Sequence, residues 1–191
     1  MNIIKKFFNK LAPTWDDEST NDISNIEGII STLGIKEGDK ILDIGCGTGI
    51  ITSILSIKSN NEVLGIDISN KMIEIANSKN KNEYVSFKCI DFYKYKGKDY
   101  DFIICFNAYP HFVKQKLFIK KSYELLNDKG KLAIIFDNDS STTNSFHNNI
   151  NSKLSRNILS PKEEAKLFDE YFIPILTVEE KKKYILLLSK K

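Results

Sequence analysis

"ILDIGCGTGI", residues 41–50, sets three glycines at alternate positions directly behind a short apolar run. Ordered glycine loses more conformational freedom than any other residue, so this density marks a backbone that bends tightly or approaches something closely. A buried strand that ends in such a turn and opens into a helix is the ligand-binding arrangement of doubly wound α/β sheets. The rest of the chain decides what lies against Gly45, Gly47 and Gly49.

Reading outward, strand-like and helix-like stretches alternate from residue 39 to about residue 136. "KILDIG" (40–45) predicts a buried strand, "TGIITSILSIK" (48–58) a helix, "EVLGID" (62–67) a second strand and "SNKMIEIANSK" (69–79) a second helix. "YVSFKC" (84–89) alternates strictly, which suits a strand buried on one side only, as at a sheet edge. "YDFIICFN" (100–107) is apolar throughout, as a central parallel strand is. A long helix, a turn at "NDKG" (127–130) and the strand "KLAIIFD" (131–137) follow. Alternating strands and helices give βαβ units with right-handed crossovers.

The C-terminal part changes rhythm. "SPKEEAKLFDEYF" (160–172) opens a helix with Ser160 as N-cap, Pro161 in the first turn and Glu163 at the capping-box position. "FIPILTV" and "KKYILLLS" then read as an antiparallel pair. The expected architecture is a doubly wound, Rossmann-like α/β sheet, mostly parallel with an antiparallel C-terminal strand and helices on both faces. No linker or repeat divides the chain, so residues 1–191 are expected to form one domain.

Bulk properties narrow the function. With 41% hydrophobic and 28% charged residues, the chain has the composition of an ordinary globular domain. A net charge of +3, with basic residues spread along the chain, argues against a dedicated nucleic-acid surface. The start, "MNIIKKFFNKLAPTW", is too polar for a membrane span and lacks a signal-peptide core. It reads as an amphipathic helix with Ile3, Ile4, Phe7, Phe8 and Leu11 on one face. Cys46, Cys89 and Cys105 show no CxxC spacing, which fits reduced thiols and a cytoplasmic location.

Three ligand chemistries compete for the glycine turn. A dinucleotide fingerprint wants GxGxxG, whereas "GCGTGI" has Ile50 at the last position and a glycine one residue early. A P-loop needs Lys-Ser or Lys-Thr after its glycines, and this loop has neither. The pattern Asp43-x-Gly45-x-Gly47-x-Gly49 resembles motif I of the class I S-adenosylmethionine (SAM)-dependent methyltransferases. That resemblance implies a loop, including Cys46, passing under the methionine part of SAM, with Asp43 helping to hold its amino group. Asp67, followed by Ile68, resembles the acid that takes both ribose hydroxyls, a task suited to a carboxylate with two acceptor oxygens. In "DISNKM", Met72 would lie against the adenine. Asp91 and Phe92 in "CIDF" resemble the acid that accepts from the adenine amino group and its neighbour beside the ring. Phe106 and Asn107 would border the methionine moiety.

"FFNKLAPTWDDE" (7–18) is similar to the N-terminal lid of the ubiquinone/menaquinone-biosynthesis type, where an aromatic-Asp pair, here Trp15 and Asp16, covers the cofactor. Residues 1–34 are therefore expected to form a helical lid. Structural alternatives stand beside these roles: Asp67 and Asp91 as helix N-caps, Met72 and Phe92 as core.

Methyl transfer needs a nucleophile in line with the activated methyl and, for an alcohol, phenol or acidic carbon, a base. The only two histidines, His111 after the fourth strand and His147 after the fifth, are the candidate catalytic residues because imidazole titrates near neutrality. No metal site is expected, since their spacing with Asp137 is not that of a ligand set. Residues 137–159 form a polar insertion expected to cover the acceptor site, with Phe146, Ile150 and Leu154 at helical spacing. The expected function is methyl transfer from SAM, giving S-adenosylhomocysteine, to a small-molecule acceptor. Alternatives are a nucleic-acid or protein methyltransferase, from which "NAYP" departs in motif, and a SAM-binding protein without catalysis.

Overall fold

A computed structural model describes residues 3–18, 22–147 and 154–191. In chain order its elements are α1 (Ile3–Leu11), α2 (Trp15–Glu18), α3 (Ile23–Ser31), β1 (Ile41–Ile44), α4 (Thr52–Ser59), β2 (Val63–Asp67) and α5 (Asn70–Lys79). There follow β3 (Val85–Cys89), β4 (Tyr100–Phe106), α6 (Gln115–Leu125), β5 (Leu126–Phe136), α7 (Ser140–His147), α8 (Pro161–Ala165), β6 (Phe172–Glu180) and β7 (Lys183–Lys190).

The strands form one sheet in the order β3-β2-β1-β4-β5-β7-β6. β1 to β5 run parallel to one another, while β7 is antiparallel to both β5 and β6. The architecture is the expected one, helices on both faces included. β7 inserts between β5 and β6, because its run Tyr184–Leu188 is buried on both faces and belongs inside the sheet. β6 takes the edge, where Pro174 and the exposed Ile173 and Ile175 are tolerated.

β4 shows why a continuous apolar run is central. Phe102, Ile104 and Phe106 face a layer with Ile26, Ile29 and Ile30 of α3 and Leu55 of α4. Ile103 and Cys105 face the opposite layer, with Phe118 and Ile119 of α6 and Phe168 beyond α8. α3, within the span read as lid, thus sits under the sheet as a core helix, while α1 packs elsewhere, against α5.

Two local readings change. The "NDKG" segment lies inside β5: Leu126 already pairs with Tyr100, and the register then jumps to Lys131 opposite Phe102. Lys129, at φ 61°, carries that bulge. In the insertion, α7 buries Thr143 and leaves Phe146 67% exposed, so the expected apolar stripe is broken there. Leu154 is buried, and Ile150 lies outside the described residues.

Candidate functional site

β1 lies between β2 and β4, so the chain leaves β1 toward one side of the sheet and β4 toward the other. The crevice between those exits, at the C-terminal ends of the strands, is where doubly wound sheets bind ligands. One cavity of about 390 Å³ opens there. Its lining includes Trp15, Gly45, Cys46, Gly47, Asp67, Ile68, Met72, Asp91, Phe92, Phe106, Asn107 and His111. Asp43, Gly49 and His147 are not on its surface but stand behind residues that are.

The glycine turn is built by backbone bonds to β2. The amides of Gly45 and Cys46 both donate to the Ile66 carbonyl, at 2.8 and 3.1 Å, and the Gly49 amide donates to the Cys46 carbonyl at 2.9 Å. All three glycines adopt positive φ, 70°, 54° and 83° in chain order. Their surroundings differ. A Cβ on Gly45 would lie 2.6 Å from Ala108 Cβ, and one on Gly49 would lie 2.5 Å from the Phe87 ring. A Cβ on Gly47 would meet nothing closer than the Trp15 indole nitrogen at 3.9 Å. Gly45 and Gly49 therefore let protein pack on protein, and Gly47 presents bare backbone to the cavity.

Carboxylates flank that backbone. Asp67 accepts from the Gly47 amide at 3.1 Å through one oxygen and from the Ser69 amide at 2.7 Å through the other. It is thus a brace for the loop as well as a cavity residue, and the N-cap of α5 is Ser69, which accepts from the Met72 amide. Asp43 is 1% exposed; one oxygen accepts from the Thr52 hydroxyl at 2.6 Å, and Oδ1 has no partner among the described residues. Burial, opposed by the Thr52 bond and assisted by the Asp67 charge, pushes Asp43 up to about 7. Burial likewise raises Asp67, against the amides that favour its charged form. Two carboxylates beneath one loop, Asp43 buried and Asp67 half-buried at the cavity, make a site that favours cations and opposes anions.

The remaining walls come from four elements. Asp91 caps the short turn Phe92–Lys94 by accepting from the Tyr93 amide at 3.0 Å. Met72 and Phe92 line the cavity and are also buried in packing. Asn107 leaves β4 at φ 51°, a conformation Asn tolerates, and its amide group donates to Asp137 at 3.0 Å. α1 contributes Ile3, Ile4 and Phe8 as a cover. It is fastened by Asn9, whose Oδ1 accepts from the Ser69 hydroxyl at 2.7 Å. Asp16 accepts from the Thr48 hydroxyl and from Lys79, both at 2.6 Å.

Both histidines are engaged. His111 Nδ1 lies 2.8 Å from the Leu154 carbonyl, and its Nε2 lies 3.3 Å from Nε2 of His147. Phe8 packs edge-on against the His111 ring at 4.8 Å between centroids. Thr48, Tyr93, Phe112, Val113 and Lys114 also line the cavity and were not singled out by motif. Position alone could have found Thr48, inside the glycine turn; the others follow the third and fourth strands without a distinguishing pattern.

The fold and the site define a doubly wound protein whose cofactor crevice carries acidic side chains under a glycine turn. Residues 41–130 match the methyltransferase-domain family, and with this sheet and loop the chain is similar to the class I SAM-dependent methyltransferases. It is similar to the malonyl-acyl-carrier-protein O-methyltransferase of Priestia megaterium, with 33% identity over 68% of this chain and 49% of that protein. A chain in the complex of the Haloferax volcanii Trm112 methyltransferase activator with a methyltransferase shares the fold at TM-score 0.81 and 15% identity, covering 96% of this chain and 97% of that one. Magnesium protoporphyrin IX methyltransferase from Synechocystis PCC 6803, solved with bound SAH, shares it at TM-score 0.73 and 19% identity over 99% of both chains. The chain spans about half the length of the first curated relatives it matches. No helix among the described residues is long and apolar enough to cross a membrane.

Proposed function

We propose that this protein binds SAM in the crevice above Gly47 and transfers its methyl group to a small-molecule acceptor, releasing S-adenosylhomocysteine. The observation that carries the reading is a pair of carboxylates, Asp43 fully buried and Asp67 half-buried at the cavity, beneath a glycine turn with open space at Gly47. A dinucleotide or nucleotide would set a negatively charged phosphate group over these acids. A ligand with an ammonium and a sulfonium instead relieves their burial.

SAM supplies the activated methyl group, so the protein needs no covalent nucleophile of its own. Its residues bind, orient and exclude water. Asp43 Oδ1, buried behind the cavity wall and without a partner among the described residues, would draw an ammonium group toward the glycine turn. The Asp67 carboxylate, braced by backbone amides, presents two acceptor oxygens at the cavity, the arrangement that suits two hydroxyls side by side. Asp91 and Phe92 would take an adenine edge and face, with Met72 and Ile68 also in the lining. Phe106, Asn107 and Cys46 border the end toward β4. α1, with Ile3, Ile4, Phe8 and Trp15, acts as lid and keeps water from the transfer.

On the acceptor side the wall is largely apolar, with Phe8, Tyr93, Phe112 and Val113 beside His111. That lining suits a small apolar acceptor better than a polynucleotide. For His111 to take a proton from the acceptor, one of its nitrogens has to leave its present partner, His147 or the Leu154 carbonyl.

Calorimetric titration with SAM, S-adenosylhomocysteine and NAD tests the cofactor. The expected result is binding of the first two and none of the third; preference for NAD overturns the reading. Asp67→Ala is expected to weaken SAM by about 2–4 kcal/mol, the scale of a lost charged double acceptor. A screen with methyl-labelled SAM against small-metabolite pools, and separately against RNA and protein, then identifies the acceptor class.

A further inference from the structure

Two imidazoles from different elements meet at the cavity wall. His111 ends the turn after β4, and His147 is the last residue of α7. Their Nε2 atoms stand 3.3 Å apart. His111 Nδ1 lies 2.8 Å from the Leu154 carbonyl oxygen, and His147 Nδ1 lies 2.7 Å from that of Thr143. A carbonyl oxygen only accepts, so each Nδ1 carries its ring's hydrogen. In the neutral rings each Nε2 is then a bare lone pair, and the two face one another. The contact is repulsive unless a cation joins them.

A shared proton and a metal ion are the two ways to supply that cation. Charge-assisted N–H bonds contract to about 2.7–2.9 Å, shorter than the observed separation. Two nitrogens bound tetrahedrally at about 2.0–2.1 Å from a zinc-class ion stand about 3.3–3.4 Å apart. Bonding of both Nδ1–H groups to backbone carbonyls is also the outer contact that fixes a metal-binding histidine in its tautomer.

We propose that His111 and His147 form a two-imidazole site for a divalent transition-metal ion of the zinc class at the acceptor end of the cavity. Among the described residues no cluster of three or more His, Cys, Asp or Glu side chains is placed to hold a metal. Water, or an oxygen or sulfur of the acceptor, would fill open coordination positions. An ion held there would orient such an atom and favour its deprotonated form, a role that rests on the methyl-transfer reading. Metal binding itself does not rest on it.

The test is a titration of the full chain, freed of metal by chelator, with Co²⁺, followed by calorimetry and visible absorption, with Zn²⁺ as competitor. One ion per chain is expected, displaced by Zn²⁺. His111→Ala and His147→Ala should each weaken binding at least tenfold, while Phe146→Ala, an exposed neighbour, leaves it unchanged. Circular dichroism reports folding; should His111→Ala unfold, His147→Ala on the surface helix carries the test. Absence of saturable binding overturns the proposal, as does binding that both histidine variants retain. So does nitrogen NMR that finds the two rings sharing a proton and indifferent to added metal. SAM titration of the same metal-free sample keeps failure of the cofactor reading separate.

Discussion

The Thr48 hydroxyl donates to the Asp16 carboxylate at 2.6 Å, joining the glycine turn to the N-terminal helices across 32 positions of sequence. The other Asp16 oxygen accepts from Lys79 of α5, also at 2.6 Å. One carboxylate thus fastens the cover to both elements that face the proposed cofactor. Partial burial opposes ionisation of Asp16, but the Lys79 and Thr48 bonds outweigh it and hold the carboxyl below its usual value. A depressed carboxyl stabilises the fold above its unfolded value of 3.8, and that contribution is lost as pH falls through the lower folded value. Near neutrality the fastening is therefore intact. Asp16→Ala is expected to raise the SAM dissociation rate several-fold, with a change in overall stability below about 1 kcal/mol because the ion pair is half-exposed. Stopped-flow displacement and urea unfolding check the two halves of that statement.

Asp43 is expected to make cofactor binding pH-dependent. Its folded value, pushed up to about 7, exceeds the ordinary carboxyl value of 3.8, so the folded state holds a proton that the unfolded chain releases. Stability of the free protein accordingly declines as pH rises from about 4 to about 7. A cationic ligand favours the ionised form, so SAM affinity should rise across neutrality, with a proton released on binding. Calorimetry in buffers of different ionisation enthalpy measures that proton, and Asp43→Asn should abolish the release.

The glycines separate binding from folding. Gly49→Ala drives a Cβ into the Phe87 ring and is expected to lower stability by about 1–3 kcal/mol, the scale of overpacking, with further strain from its positive φ. Gly47→Val meets no protein atom at its Cβ closer than the Trp15 indole. It should leave secondary structure intact, at a strain of about 1–2 kcal/mol, and abolish SAM binding. Thermal unfolding and calorimetry on both variants give the contrast, and normal SAM binding by Gly47→Val would return the turn to a packing role.

Glu164 is fully buried and accepts from Tyr109, Gln115, Arg156 and the Leu159 amide. It ties the turn that carries His111 to α6 and to the chain entering α8. Glu164→Ala strands a partly buried Arg156 and is expected to destabilise by about 3–5 kcal/mol. Glu164→Gln should lose less, since it keeps one acceptor oxygen. Urea unfolding orders the three proteins.

What the sequence by itself determined is the part governed by local pattern. Apolar runs of fixed period marked β1 to β4, the alternation in residues 84–89 marked the sheet edge, and the spacing of Asp43, Gly45, Gly47 and Gly49 marked the crevice at the end of β1. Those features are legible because strand period and turn chemistry act between near neighbours. Tertiary structure alone decided which glycine is bare, since that depends on Ala108, Phe87 and Trp15, all distant in the chain. It also decided that "NDKG" is a bulge within β5 and that Phe146 faces out, because pairing with β4 and packing of α7 override local propensity. The meeting of His111 with His147, and of Glu164 with its four donors, left no local trace. Single polar side chains have no periodicity, and only the packed sheet brings residues 36 and 55 positions apart within bonding distance.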